Sequence, residues 1–154
     1  MLITRFAFAA FILVPLPALA QTSGPAATVA ALLRLDSKGD WTPTFANEPT
    51  PAMQRFFTPA FNAAWRKAMK HNADYAVFDA DPLTGAQNSG GPIMQSIEAK
   101  AQGMVTAKIA YKAAPTIEIS VSYVMVRDGA HWQIDDIIYP EDRPALRAVL
   151  RGSQ

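Results

Sequence analysis

The chain has 154 residues, contains no cysteine and carries 14 basic and 13 acidic residues. The lack of cysteine excludes disulfides, thiol nucleophiles and thiolate zinc sites. One basic residue, Arg5, lies in an N-terminal segment that we expect to be removed, which leaves 13 basic against 13 acidic residues. A neutral domain lacks the surplus of Lys and Arg that phosphate neutralisation requires, so we expect no nucleic-acid partner.

Residues 1–20 have the pattern of a secretory signal peptide. Arg5 precedes an apolar run at 6–14, and the small-x-small triplet Ala18-Leu19-Ala20 follows. The pattern predicts export, cleavage after Ala20 and a periplasmic location, with secretion as the alternative. The apolar run is too short to span a membrane. Gln21 stands where a lipidated protein would have cysteine, so we expect neither a membrane span nor a lipid anchor.

The 134 residues that follow have the length of one domain, with a core of about 26–150. The first predicted element is a helix at about 26–35. Its apolar residues Val29, Leu32 and Leu33 recur at the spacing of one helix face.

Two Thr-Pro steps predict the next helices. Thr50-Pro51 and Thr58-Pro59 each place a hydroxyl cap before a proline at the first helical position. We expect a short helix from the first step through Phe57 and a longer one at about 60–71. The longer helix has an apolar stripe of Phe61, Ala64, Trp65, Ala68 and Met69.

The second half of the chain changes to a period of two. Alternating apolar and polar residues predict half-buried strands at 97–102, 105–112 and 117–125. Asp128-Gly129 is a hairpin turn signal before a returning strand at 131–139, and a short helix is expected at about 145–150. This order predicts an α+β fold, in which N-terminal helices pack on a curved antiparallel sheet of about four strands.

Two segments resemble one family. The segment 128–137, a charged-Gly turn followed by Trp132 and an acidic step, resembles the last hairpin of the nuclear transport factor 2-like (cystatin-like) superfamily. Together with 78–87, which contains Asp81-Pro82 and Gln87, it resembles an exported bacterial group within that superfamily, the domain of unknown function 3828 (DUF3828). The resemblance implies a cone of curved sheet closed by helices, and it implies no known reaction.

The last strand contains two acidic residues, Asp135 and Asp136. Strict alternation places Asp136 on the same face as Trp132, Ile134 and Ile138, which would direct its carboxyl into the cone. A β-bulge would put Asp135 in that place instead. A carboxyl in a partly apolar cone has a raised pKa and can act as a general base.

These placements leave two interpretations of Asp136. It is either a general base that works with Tyr123 or Tyr111 as a hydrogen-bond donor, or a structural acceptor that holds the cone mouth in shape. We favour the structural role, because perturbed carboxyls are often structural. A cone filled by Met104, Met125 and Trp132 would argue against catalysis.

The connection after the long helix contains the only weak candidates for metal binding, Asp79 and Asp81. Their spacing begins like a calcium loop, but Gly90 stands at the twelfth position, where that loop needs a glutamate. We therefore expect no metal. The preferred interpretation is a turn at Asp81-Pro82 in which the aspartate accepts backbone hydrogen bonds, with Gln87 tying the loop to the sheet.

No complete catalytic set is present in the sequence. His71 and His131 have no partner at ligand spacing, so we expect no cofactor. The leading hypothesis is an exported, non-catalytic module that binds a small ligand or a protein. The alternative is a small-substrate acid–base enzyme of the isomerase or dehydratase type. The polar residues Glu118, Ser120 and Ser122 on the outer sheet face predict a monomer or a weak homodimer.

Overall fold

The computed structural model describes residues 24–37, 50–72, 78, 80–86 and 92–152. The predicted signal segment lies outside these residues. The helices of the described part are α1 (Pro25–Asp36), α2 (Pro51–Gln54), α3 (Pro59–His71) and α4 (Leu146–Gly152). Its strands are β1 (Pro92–Lys100), β2 (Met104–Tyr111), β3 (Ala114–Asp128) and β4 (His131–Ile138).

The four strands form one open antiparallel sheet in the order β1-β2-β3-β4. The predicted α+β class, antiparallel sheet and short C-terminal helix are confirmed. Neighbours in sequence are neighbours in the sheet because each connection is short. A 3₁₀ turn at Ala101–Gly103 joins β1 to β2, and Gly129, with a φ of +58°, closes the β3–β4 hairpin predicted at that point.

The two longer helices have the predicted starts and stripes. In α1, Val29, Leu32 and Leu33 are buried. The hydroxyl of Thr58 accepts a hydrogen bond from the backbone N–H of Phe61 at 3.2 Å, which caps the first turn of α3. No helix in the described ranges has both the length and the apolarity needed to cross a bilayer.

The first Thr-Pro helix is shorter than predicted. It ends at Gln54 instead of continuing through Phe57. The chain leaves the helix because it pairs with β4. The N–H of Ile134 donates to the carbonyl of Phe56 at 2.7 Å, and the N–H of Thr58 donates to the carbonyl of Ile134 at 2.9 Å. These bonds fix the start of α3 against the last strand.

The core lies between the helices and one face of the sheet, and aromatic side chains occupy its centre. Trp65 of α3 is 1 % exposed. Its ring centroid lies 5.7 Å from Phe61, 5.8 Å from Phe57 and 5.4 Å from Phe78. Tyr123 of β3 is fully buried in the same cluster. Side chains therefore fill the space between the central strands and α3.

Two strand predictions fail at the ends of the sheet. Ile117, expected on the buried face, is 60 % exposed, because β3 extends past the packed layer and only its residues Val121, Tyr123 and Met125 are buried. Ala101 and Gln102, expected to continue β1, lie in the turn. Gln102 has a φ of 63°, which ends the extended conformation.

Candidate functional site

Asp135 and Asp136 lie at a β-bulge in β4. Val124 of β3 is opposite Asp136, whereas Met125 is opposite Ile134. Asp135 is therefore an extra residue on β4, and the strict alternation expected for this strand stops there.

The bulge changes which residues of β4 enter the core. Ile134 and Ile137 are both fully buried although they are three positions apart. Ile138, expected on the face of Ile134, is 39 % exposed. Asp136 pairs with Val124, while Tyr123 pairs with Ile137.

Both aspartates bind elements that pack on β4. The Oδ1 atom of Asp136 accepts hydrogen bonds from the N–H groups of Ile137, at 2.8 Å, and Arg147, at 2.9 Å. The Oδ1 atom of Asp135 accepts the hydroxyl proton of Thr58 at 2.7 Å and forms an ion pair with the guanidinium of Arg147 at 2.5 Å. Asp136 thus caps the start of α4, and Asp135 joins α3, β4 and α4.

The second sequence motif, Asp81-Pro82, forms a tight and buried turn. Oδ1 of Asp81 accepts the N–H of Leu83 at 2.8 Å, and Oδ2 accepts the hydroxyl proton of Thr84. Asp81 is 1 % exposed and Thr84 is fully buried. An aspartate that bonds the backbone two residues ahead is the usual mechanism of such turns.

Side chains from the sheet and the chain after it hold this turn in place. The hydroxyl of Tyr123 donates to the carbonyl of Leu83 at 3.0 Å, and that of Tyr139 donates to the carbonyl of Pro82 at 2.5 Å. Arg143 donates to the carbonyl of Gly85 at 2.6 Å. Tyr123 and Asp136 thus have different hydrogen-bond partners, and these bonds do not join them into one catalytic pair.

Gly85 is required at the end of this turn for two reasons. Its φ is +72°, a conformation that side chains rarely adopt. A Cβ atom at this position would also lie 2.9 Å from the ring of Tyr139. The turn and the tyrosine therefore pack directly on each other.

Asp36, at the end of α1, forms a second buried carboxyl beside this turn. It is 4 % exposed, and within the described residues its Oδ2 atom has no hydrogen-bond partner. Burial, and after it the negative charge of Asp81, raise the pKa of Asp36 from 3.8 to about 7. The partial negative charge at a helix C-terminus also disfavours an ionised carboxyl there.

Burial also raises the pKa of the other titratable groups beside this turn. Burial raises the pKa of Asp81, while hydrogen bonds from Thr84 and Leu83 lower it. Burial raises the pKa of Tyr111 to about 12 and that of Tyr123 well above its usual range. The tyrosines are therefore neutral hydrogen-bond donors at physiological pH.

The weak metal candidates are only partly placed. Asp79 and Gln87 lie outside the described residues. Asp81 uses both carboxyl oxygens for the turn. Among the residues that the structure describes, no three His, Cys, Asp or Glu side chains form a group that could hold a metal ion.

A separate surface groove of about 580 Å³ lies beside the β3–β4 hairpin. We call it the hairpin groove. Its walls are one face of α1, the segment between α2 and α3, and the first residues of β4. Residues that line it include Ala31, Arg34, Arg55, Phe56, His131 and Trp132.

The walls of the hairpin groove are fixed by the fold. Ala27, Ala31 and Arg34 lie on one face of α1, because they are four and three residues apart. The backbone bonds between Phe56 and Ile134 hold the second wall against β4. The groove is therefore a preformed feature, and four of its lining residues, Asp128, His131, Trp132 and Gln133, belong to the sequence motif at 128–137.

No protein-family model, curated protein or solved structure matches this chain.

Three residues of these sites were missed by sequence reasoning. Asp36 continues the apolar stripe of α1, three residues after Leu33. A carboxyl group on the apolar face of a helix is expected to be buried, so the sequence does contain a signal for Asp36. Arg34 and Arg55 had no such signal, because the fold alone brings α1 and the segment between α2 and α3 to one groove.

Proposed function

We propose that the protein is an exported, non-catalytic module that binds a small ligand in the hairpin groove. The single observation that carries the proposal is the groove itself. Its volume of about 580 Å³ lies within the range of small-molecule sites, roughly 300–1,000 Å³. Four of its lining residues, Ala27, Ala31, Phe56 and Trp132, are apolar, and the polar lining residues can fix the orientation of a ligand on that surface.

Export is the second part of the proposal and rests on the N-terminal sequence. Cleavage after Ala20 would release a periplasmic protein of one module, 21–154, and secretion is the alternative. The two sequence motifs and the α+β fold support placement in the DUF3828 group of the nuclear transport factor 2-like superfamily.

The acid–base alternative has weaker support. Asp136 accepts backbone hydrogen bonds at the start of α4, and Tyr123 is bonded to the Asp81 turn. The carboxyl whose pKa is raised to about 7 is Asp36, which is 4 % exposed. The acid–base enzyme hypothesis would therefore need Asp36 as the general base, and it would require a route by which substrate reaches this buried carboxyl. Ligand binding in the hairpin groove requires no rearrangement of the structure, because the groove is open at the surface.

A matched pair of substitutions tests the groove. Ala31→Trp places a large ring in the hairpin groove, because Ala31 lines it. Ala63→Trp makes the same change on the exposed surface of α3. Native mass spectrometry of protein purified from its own host's periplasm should show a small-molecule adduct on the parent and on Ala63→Trp. The adduct should be lost from Ala31→Trp.

Two results would contradict this assignment. An adduct retained equally by both variants would place the ligand elsewhere. A parent protein that carries no small molecule, but a stoichiometric protein partner, would replace the ligand-binding module with an interaction module. Circular dichroism of each variant checks that the fold is intact.

A further inference from the structure

We propose that the ligand of the hairpin groove is a small organic anion with a planar apolar body. This inference rests on the proposed function, and it adds the chemical class of the ligand. It follows from two features of the groove: two guanidinium groups that make no ion pair with a described residue, and apolar surface formed by alanines and a tryptophan.

The first feature is unpaired positive charge. Arg34 and Arg55 both line the groove and are exposed. Across the described residues, neither guanidinium makes an ion pair or a side-chain hydrogen bond, whereas Arg147 pairs with Asp135. One carboxylate, that of Asp128, also lines the groove. The two arginines therefore leave an excess of positive charge that a monoanionic ligand would balance.

Arg55 lies over an aromatic ring of the groove. The carbon at the centre of its guanidinium lies 4.8 Å from the ring centroid of Phe56. A cation–π contact of this kind limits the motion of the guanidinium, and no side-chain hydrogen bond to a described residue uses its N–H groups. A planar carboxylate or sulfonate matches that arrangement of donors.

The second feature is the apolar surface between the charges. Ala27 and Ala31 lie one turn apart on α1, and their small side chains leave room over the helix. Trp132 is half-buried and lines the opposite wall. A flat ring can lie against the indole and the alanines at the same time, so the groove favours a planar body over a branched one.

The test compares two dyes that differ in charge. The probes are 8-anilinonaphthalene-1-sulfonate and its neutral counterpart N-phenyl-1-naphthylamine, which has the same rings without the sulfonate. Fluorescence titration of the mature protein should show about tenfold tighter binding of the sulfonate. Arg34→Gln combined with Arg55→Gln should remove this preference and leave the affinity for the neutral dye within about twofold.

The control removes the same charge elsewhere. Arg66→Gln combined with Arg151→Gln alters two exposed residues outside the groove, on α3 and α4. This variant should retain the tenfold preference. Loss of the preference in the control as well would show a general charge effect and would overturn the inference.

The remaining outcomes distinguish a wrong ligand class from a wrong binding site. If Ala31→Trp abolishes binding of both dyes but the groove arginines make no difference, the anionic class is wrong and the groove remains a binding site. If Ala31→Trp leaves both dyes bound, or neither dye binds the parent, the class is overturned. Persistent binding to Ala31→Trp also counts against the groove as the ligand site.

Discussion

Replacing Asp81 with alanine is expected to lower the free energy of unfolding by about 2–4 kcal/mol at pH 5. The substitution removes the acceptor of the Leu83 N–H and of the Thr84 hydroxyl, and it leaves both donors buried without that partner. The pKa of Asp36 is about 7, so Asp36 is protonated at pH 5. At this pH, loss of the charge of Asp81 relieves little repulsion and does not offset the cost.

Asp81→Asn is the matched control for this prediction. The amide has the same shape, its oxygen can accept the Leu83 N–H, and the Thr84 hydroxyl can reverse and accept from its nitrogen. We expect less than half the loss seen with alanine. Urea unfolding of both variants at pH 5 provides the comparison. Equal losses would mean that the turn does not depend on these two hydrogen bonds.

Replacing Asp36 with asparagine is expected to change the pH dependence of stability. The pKa of Asp36 is raised from 3.8 to about 7 by burial and by Asp81, so the folded state binds more protons than the unfolded state between these pH values. Stability from this group is complete below pH 3.8 and is lost as the pH rises to about 7. At about 1.4 kcal/mol for each pKa unit, the loss amounts to about 4 kcal/mol at most.

Asp36→Asn cannot ionise and should lack this loss. The variant should match the parent near pH 4 and exceed its unfolding free energy by about 2–4 kcal/mol at pH 8. Glu118→Gln, which removes one negative charge from an exposed position on β3, should follow the parent at both pH values. A parallel pH profile for the parent and Asp36→Asn would refute the buried, protonated Asp36.

Helix starts and hairpin turns were predictable because each depends on a few adjacent residues. Thr58 caps α3 from a position beside the first helical proline, and Gly129 supplies the left-handed backbone of the hairpin. The end of α2 was not predictable in this way. It is set by Ile134, a residue far along the chain, whose N–H donates to the carbonyl of Phe56 and whose carbonyl accepts the N–H of Thr58.

The candidate sites were less predictable than the fold for the same reason. The sequence contained the Asp81-Pro82 turn and Trp132, since each belongs to a local motif. Asp36, the buried carboxyl whose pKa the charge of Asp81 raises, belongs to a different element, α1. The hairpin groove likewise joins Arg34 of α1, Arg55 before α3 and Trp132 of β4, and no local pattern links these three positions.

Three aspartates that stabilise the fold lie outside the hairpin groove, so stability and ligand binding depend on different residues. Asp135 and Asp136 attach α3 and α4 to the bulge in β4, and Asp81 holds its turn. The hairpin groove uses none of these groups for its walls. Substitutions in the groove can therefore test binding without removing the bonds that hold the fold together.

The most direct test of the hairpin groove monitors Trp132, the tryptophan that lines it. The protein has three tryptophans, of which Trp132 lines the groove and Trp65 is 1 % exposed in the core, while Trp41 lies outside the described residues. Labelling with 5-fluorotryptophan and assignment by Trp→Phe variants give one fluorine NMR signal for each. On addition of 8-anilinonaphthalene-1-sulfonate, the Trp132 signal should shift in a saturable way while the Trp65 signal stays in place. An unchanged Trp132 signal at dye saturation would contradict the hairpin groove as the binding site.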